Sequence, residues 1–250
     1  MTRMSAHADL VSCTACPVRR LALFRPFSHE ELMVVSSLRT GMRHFERGDH
    51  IVRPDDEADE LFTLFTGWAK RYRVLEDSSV HIPRFYLPGD FIDVTSALTR
   101  DHRHYVDCIT PVTVCVFRRQ AMLESLTEHP RLGISLSWLS GREAAASDEA
   151  LLAASHLTAF QRVGGLLLEL YERMRLRDAV SRNTCRLPLR QQDIADHLGL
   201  STEHVNRVLS ELRQRGLASI AQRQLTIPDV GALSEAAEWE GEYLTPRPLF

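Results

Sequence analysis

Gln191-Gln192-Asp193-Ile194-Ala195-Asp196-His197-Leu198-Gly199-Leu200-Ser201-Thr202-Glu203-His204-Val205-Asn206-Arg207-Val208-Leu209-Ser210-Glu211-Leu212 is the stretch whose pattern settles the architecture. Its first eight residues make a short amphipathic helix, Gly199 supplies a left-handed turn residue, and Ser201 is a good N-cap for a second helix. That order spells helix-turn-helix. In the second helix Val205, Val208, Leu209 and Leu212 share one face at the i, i+3, i+4, i+7 spacing and must pack inward. Thr202, Glu203, Asn206, Arg207 and Ser210 are left on the face that would enter a major groove.

The chemistry of that face suits base reading. Arg207 can donate two hydrogen bonds to guanine, Glu203 can accept from the cytosine amino group, and Asn206 can pair with adenine or a phosphate. Glu203 also stands four residues before Arg207, so its carboxylate could brace the guanidinium. The plainer reading is a solvated face carrying an ordinary ion pair. Against it, the turn glycine, the cap, the inward stripe and the local charge all agree. Beyond the second helix, residues 216–227 read as a hairpin wing with Arg223 at its tip, able to touch phosphate.

Charge is distributed to match. The whole chain has a formal net charge of -3, which excludes a protein that coats nucleic acid indiscriminately. Residues 157–227, however, hold eleven Arg against seven acids, whereas 228–250 hold one Arg against five acids. The basic segment is where an anionic partner is expected. Upstream, residues 159–177 read as another helix with Val163, Leu166, Leu167 and Leu170 on one face.

Before His156-Leu157-Thr158, which read as a hinge, Leu132, Leu136, Leu139, Glu143, Ala146, Ala150, Ala153 and Leu157 step by four and three. This is the seam of a long helix over 130–156. The favoured reading is a homodimer interface of Leu132, Leu136, Leu139, Ala146, Ala150 and Ala153, with Glu143 needing a partner; the other is that the seam only packs on the preceding domain. From Gly41 to Arg118, apolar runs are cut by Gly48-Asp49, Pro54-Asp55-Asp56, Thr66-Gly67 and Pro88-Gly89-Asp90. That spacing predicts an antiparallel domain of about eight strands. Trp68, Lys70, Tyr72 and Val74 alternate with their neighbours, and Val112–Phe117 reads as a buried strand.

The fold class is therefore α+β, with five parts: an arm and helical lead-in over 1–40, a β-roll over 41–129, the long helix and hinge over 130–157, a winged helix-turn-helix over 158–227, and an acidic, weakly ordered tail over 228–250 ending in Thr245-Pro246-Arg247-Pro248. No apolar run approaches the roughly 20 residues that cross a bilayer. Arg3, His7 and Asp9 leave no hydrophobic signal core, so a cytosolic location without a membrane partner is expected. The five cysteines are then thiols, ligands or redox groups rather than structural bridges.

Four stretches in order resemble the Crp/Fnr family of bacterial transcription regulators: Phe45-Glu46-Arg47-Gly48-Asp49-His50-Ile51-Val52, Leu61-Phe62-Thr63-Leu64-Phe65-Thr66-Gly67-Trp68-Ala69-Lys70, Leu87-Pro88-Gly89-Asp90-Phe91, and 193–201. The resemblance implies a β-roll of the cyclic-nucleotide-binding type, a long dimerisation helix and a C-terminal winged helix-turn-helix. It further implies double-stranded DNA with inverted-repeat sites and RNA polymerase as partners. In the Fnr and FixK branches the recognition helix carries Glu, then Ser-Arg three and four positions on. Glu203 and Arg207 match, but Asn206 stands where Ser is usual, so the half-site cannot be copied from those relatives.

Members that bind cyclic AMP carry Gly-Glu and later Arg-Ser/Thr-Ala. Here Gly89-Asp90 is followed by His102-Arg103-His104, a mismatch at the residues that hold the phosphate, so cyclic AMP is not expected. Gly89, Asp90 and Arg103 remain the candidate effector pocket, and the plainer reading of 101–104 is a solvated loop, with metal or haem at the histidines less favoured. The Fnr branch also holds an iron-sulfur cluster through an N-terminal cysteine group and one cysteine in the β-roll. Cys13, Cys16 and Cys115 resemble parts of that set, with one cysteine missing after Cys16, so Cys108 or another ligand would have to replace it. Three readings stand: a cluster, a dithiol switch helped by Arg19 and Arg20, and inert thiols. Cys185 reads as a surface or packing residue.

Two other functions are weighed. A scaffold with a degenerate helix-turn-helix conflicts with the intact Glu203, Asn206 and Arg207 face. A thiol oxidoreductase using Cys13 and Cys16 lacks the strand-helix context, so catalysis is not expected.

Overall fold

The computed structural model describes residues 11–22, 24, 28–54, 56–99, 102–241 and 244. The readings placed on Arg3, His7 and Asp9, on Asp55 and Asp101, and on Thr245-Pro246-Arg247-Pro248 lie outside the described residues. Two compact units emerge: one holds the described residues up to Tyr72 together with Phe85–Gly141, the other Arg73–Arg84 together with the described residues from Arg142 onward.

The first unit begins with two 3-10 turns, Cys13–Ala15 and Pro17–Arg20, and helix α1, His29–Leu38. Ser28 caps α1 by accepting from Glu31 N–H at 3.1 Å, while the Glu31 carboxylate accepts from Ser28 N–H at 2.7 Å. This reciprocal box satisfies two of the donors a helix start leaves open. Strands follow as β1 Arg39–Phe45, β2 His50–Val52, β3 Glu60–Thr66, β4 Ala69–Val74, β5 Val80–Tyr86 and β6 Phe91–Ile92; then come helix α2 Ser96–Thr99, β7 Tyr105–Cys108, β8 Val112–Arg118 and helix α3 Arg119–Glu128. Among the described residues they form two four-stranded sheets, β1-β8-β3-β6 and β2-β7-β4-β5.

Strand β8 explains the layering. Paired with β1 on one side and β3 on the other, it is β-branched at most positions and turns alternate residues to opposite faces. Val112, Val114 and Val116 enter one core with Ile51, Val52, Leu64 and Val106. Phe117, and Cys115 at its edge, enter a second core with Leu32, Val35 and Leu38 of α1 and with Met122. The Thr66-Gly67 turn needs its glycine: φ is +91°, and a Cβ there would run into the Pro111 carbonyl oxygen.

Helix α4, Pro130–His156, spans the range expected. Its leucines correct the seam reading, because Leu132, Leu136 and Leu139 are 2, 2 and 6% exposed and pack in the α1, Phe117 and Met122 core of their own chain. The spacing was right for a buried stripe, but spacing alone does not say whose core the stripe enters. Ala146 and Ala153 are half-buried and Ala150 is exposed. The large apolar residues α4 leaves in solvent are Ile134 (69%), Leu151 (69%) and Leu152 (52%). Glu143 finds its cation within the chain, in Arg84 at 3.2 Å.

In the second unit α5, Ala159–Arg175, is capped by Thr158, whose hydroxyl accepts from Gln161 N–H at 3.3 Å. Val163, Leu166, Leu167 and Leu170 are buried as the spacing required. Next come β9 Val180–Ser181, β10 Thr184–Arg186, α6 Gln191–Leu198, α7 Thr202–Gln214, β11 Ser219–Ala221, β12 Gln224–Thr226 and α8 Val230–Ala237. The four short strands join in the order β11-β12-β10-β9, so the wing is half of a larger sheet. Helix α8 corrects the expectation of a weakly ordered tail. Asp229 caps it by accepting from Ala232 N–H at 3.1 Å, and Leu233 and Ala237 are 0 and 1% exposed.

Candidate nucleic-acid interface

Helix α6 ends at Gly199, whose φ of +62° is the left-handed conformation a non-glycine residue adopts only at a cost. Its N–H, like that of Leu200 at 3.1 Å, returns to the Ala195 carbonyl and closes the turn. Arg162 of α5 donates to the Leu198 carbonyl, tying the same turn to the helix beneath it. Ser201 then caps α7 by accepting from His204 N–H at 3.2 Å. Across the turn the Thr202 hydroxyl donates to Gln192 at 2.8 Å, so the two helices are also joined through their side chains.

With this frame in place, α7 rolls Val205, Val208 and Leu212 inward at 0, 4 and 0% exposure. Glu203, Asn206 and Arg207 are exposed on the opposite side, with Thr202 and Ser210 half-buried at its edges. The expected brace between Glu203 and Arg207 is absent among the described residues. Instead the Glu203 carboxylate turns to its own N–H and the Ser201 hydroxyl, hydrogen bonds that hold its pKa below the usual carboxylate value. The reason is that a helix start offers unsatisfied N–H donors and a positive dipole end close by, nearer than a guanidinium one turn on. Arg207 thus stands in solvent, with no hydrogen bond or ion pair among the described residues to hold it back.

Further cations are exposed in the same unit. Arg223 is exposed at the β11–β12 turn, where Gln222 and Arg223 have φ of +49° and +60°. A hairpin turn with two consecutive positive φ values matches the twist of its strands. The β9–β10 turn repeats the geometry with Arg182 and Asn183 at +49° and +61°, and Arg182 and Arg186 are exposed. These two arginines were missed by motif reading, and only the local excess of Arg pointed to them. Arg190 accompanies Asp193 at 3.3 Å, while the buried Asp193 carboxylate accepts from Arg190 N–H at 2.9 Å and so caps α6.

The residues expected to form an effector pocket do other work. Asp90, 5% exposed, accepts from Leu87 N–H at 2.7 Å and shapes its own Pro-Gly-Asp turn. Gly89 lies in that turn, donating its N–H to the Leu64 carbonyl at 2.6 Å, and Arg103 is exposed. His102 is no solvated loop residue: it is 5% exposed and its Nδ1 meets Asp93 at 2.9 Å. Asp93 has Arg71 at 3.9 Å and accepts from the Thr95 hydroxyl at 3.0 Å. Burial pushes the Asp93 carboxyl up, but His102, Arg71 and Thr95 outweigh it and hold the pKa below the ordinary value.

A four-thiolate iron-sulfur cluster does not fit the cysteines. Cys13, Cys16 and Cys115 all lie in the first unit, but residues 17–22 contain no fourth cysteine. Cys108 cannot replace it, because it is buried in the other core, with Val106 and Val114, and its thiol is pushed up to about 12 by burial and by Asp49 and Asp107. Among the described residues no group of three or more His, Cys, Asp or Glu side chains is placed to hold a metal ion. Cys185 is a packing residue, 3% exposed, its thiol pushed up to about 11 by burial.

A β-roll followed by a long helix and a winged helix-turn-helix defines a class, the DNA-binding regulators that carry a sensor domain. The comparisons agree. Residues 42–129 match the cyclic nucleotide-binding domain model and 161–236 the Crp-like helix-turn-helix domain model. The chain is similar to the nitrogen fixation regulation protein FixK of Bradyrhizobium diazoefficiens, 29% identical over 87% of this chain and 90% of that one. To the FixK protein of Rhizobium meliloti it is 30% identical over 70% of this chain and 77% of the relative. Among solved structures it resembles FixK2 from Bradyrhizobium japonicum with a TM-score of 0.71 and 25% identity, covering 78% of this chain and 95% of that one. The chain belongs to the Crp/Fnr family of transcription regulators. It is a DNA-binding regulator and not an enzyme.

Proposed function

We propose that the chain acts as a homodimer that reads an inverted repeat through α7, with Arg207 on guanine, Glu203 on cytosine and Asn206 on adenine or phosphate. Thr202 and Ser210 flank these contacts, and Arg223, joined by Arg182 and Arg186, contacts phosphate. The observation that carries this reading is the exposed Arg207, for which no hydrogen bond or ion pair is found among the described residues. A guanidinium left in water keeps its donors available for a base edge.

The dimer is supported by α4. Leu152 follows Ile134 by eighteen residues, five turns at 3.6 residues each, so the two exposed side chains lie on one side of the helix. The working division is a sensor β-roll over 41–129, a dimerisation helix and hinge over 130–157, and a DNA-binding domain that begins at 158 and extends through α8. RNA polymerase is the partner the family implies. No helix of the described residues is long and apolar enough to cross a membrane, which is consistent with the cytoplasmic placement proposed here. Cyclic AMP is not the proposed effector, because Asp90 is engaged in its own turn.

Selection of sites from random duplexes by the full chain tests this function. The expected product is an inverted repeat with half-sites about 10 base pairs apart. Recovery of no preferred sequence would overturn it and favour a scaffold.

A further inference from the structure

The β4–β5 hairpin belongs to the β-roll by sequence, yet its residues Arg73–Arg84 fall in the unit that holds the winged domain, together with the end of α4 and helices α5 to α8. Two contacts hold it there. Arg84 of β5 meets Glu143 of α4 at 3.2 Å. His197, in the last turn of α6, brings its Nδ1 to 2.7 Å from the Ile82 carbonyl oxygen. A carbonyl only accepts, so Nδ1 carries the proton and donates it. Strand β5 is the outer strand of its sheet, where carbonyls lie without a strand partner, and Ile82 itself is 0% exposed.

These contacts leave the reading face open, since Glu203, Asn206 and Arg207 are exposed while α6 is held. Helix α6 in turn carries α7 with it, through the closed turn at Gly199 and the hydrogen bond from Thr202 to Gln192. A hold on α6 is therefore a hold on the reading helix. The hold is sensitive to charge. Burial pushes the pKa of His197 below the ordinary histidine value, and His81 and Arg84 of β5 act in the same direction. Glu169 of α5 and the hydrogen bond to Ile82 oppose this without overcoming it, and Arg173 stands 3.2 Å from the same Glu169.

We propose that His197 is a positioning residue for DNA reading: its neutral ring fastens α6 to the β4–β5 hairpin, presetting the orientation in which two heads meet an inverted repeat, and protonation of the ring unfastens it. This rests on the reading of DNA by α7 given above. A preset orientation raises affinity where two heads must engage together and does little for one head alone. Because the docked ring binds a proton less readily than the free one, docking is at full strength above about pH 6.5 and is lost as pH falls through the docked value.

The test compares the native chain, His197→Gln and His197→Leu, on a duplex with the selected inverted repeat and on one with a single half-site, from pH 7.5 to pH 5.5. Native affinity for the repeat should fall on the order of 10-fold across that range, as the fraction of docked heads drops to about a tenth, while half-site affinity changes little. His197→Gln keeps a donor but does not titrate, so it should bind the repeat as the native chain does at pH 7.5 and lose the pH dependence. His197→Leu should bind the repeat weakly at every pH and the half-site normally. In parallel, hydrogen exchange without DNA at pH 7.5 should be faster over residues 73–84 in His197→Leu than in the native chain. Equal exchange in the two proteins, the same pH profile for the native chain and His197→Gln, or equal losses by His197→Leu on both duplexes would overturn the proposal. The exchange comparison needs no DNA, so failure of the hairpin contact is told apart from a native chain that prefers no sequence.

Discussion

The winged domain and the β-roll handle charge in opposite ways. On the outer side of α7, Arg207 stands in solvent, with no hydrogen bond or ion pair among the described residues. Inside the β-roll, the Asp93 carboxylate is 3% exposed and surrounded by His102, Arg71 and Thr95. Water solvates an exposed charge at little cost, so such a group can wait for another molecule; a buried charge must find its partners within the fold. The charge proposed here to meet DNA is the one left without such partners among the described residues, and the charge that serves architecture has several.

Removing a buried partner should have the largest effect. His102→Leu leaves Asp93 enclosed with one of its main partners gone, and should cost about 3–5 kcal/mol of β-roll stability in urea unfolding. Because the folded pKa of Asp93 lies below its unfolded value, its contribution is present above about pH 4 and is lost as pH falls through the folded value. The variant should lose that acid dependence. A His102→Leu protein with native stability would break the contrast, since the pair would then be dispensable.

Helix α4 sharpens the same point with apolar groups. Leu136→Ala should destabilise the protomer by about 2–5 kcal/mol, because it opens a cavity in a core 2% exposed at that position. Leu151→Glu with Leu152→Glu should leave protomer stability nearly native yet shift the protein to monomers in sedimentation, and weaken DNA binding with it. If both changes gave stable dimers, α4 would not be the interface.

Effects on the exposed side are smaller and specific. Arg207→Ala should cost about 1–3 kcal/mol on the preferred site and little on random DNA. Arg223→Ala at the wing should weaken all sequences nearly alike and reduce the slope of log affinity against log salt by about one, as a phosphate contact does. Titrations at several salt concentrations separate the two.

What the sequence made legible follows from the range of each signal. The helix-turn-helix is specified by neighbours: Gly199 must turn left-handed, Ser201 must cap, and the valine and leucine stripe must go inward. The turns of the β-roll are equally local, and the eight-strand expectation agrees with the two sheets among the described residues. Choices made between distant residues were not legible. A leucine stripe reads the same whether Leu132 and Leu136 meet α1 or another chain, and His102 looks polar and loop-like until Asp93 is placed beside it. In the tail, net acidity masked a short-range signal that was present, Asp229 as the cap of α8. The Glu203–Arg207 spacing misled for the same reason: four residues permit an ion pair, but the nearer N–H and hydroxyl donors took the carboxylate.

The claim that α7 reads bases is tested most directly by selecting sites from random DNA with the native chain and with Arg207→Ala in parallel. One motif is expected for the native protein and, for the variant, the same inverted repeat with one base pair of each half-site no longer discriminated. An identical motif from both proteins would contradict it and remove Arg207 from the reading face.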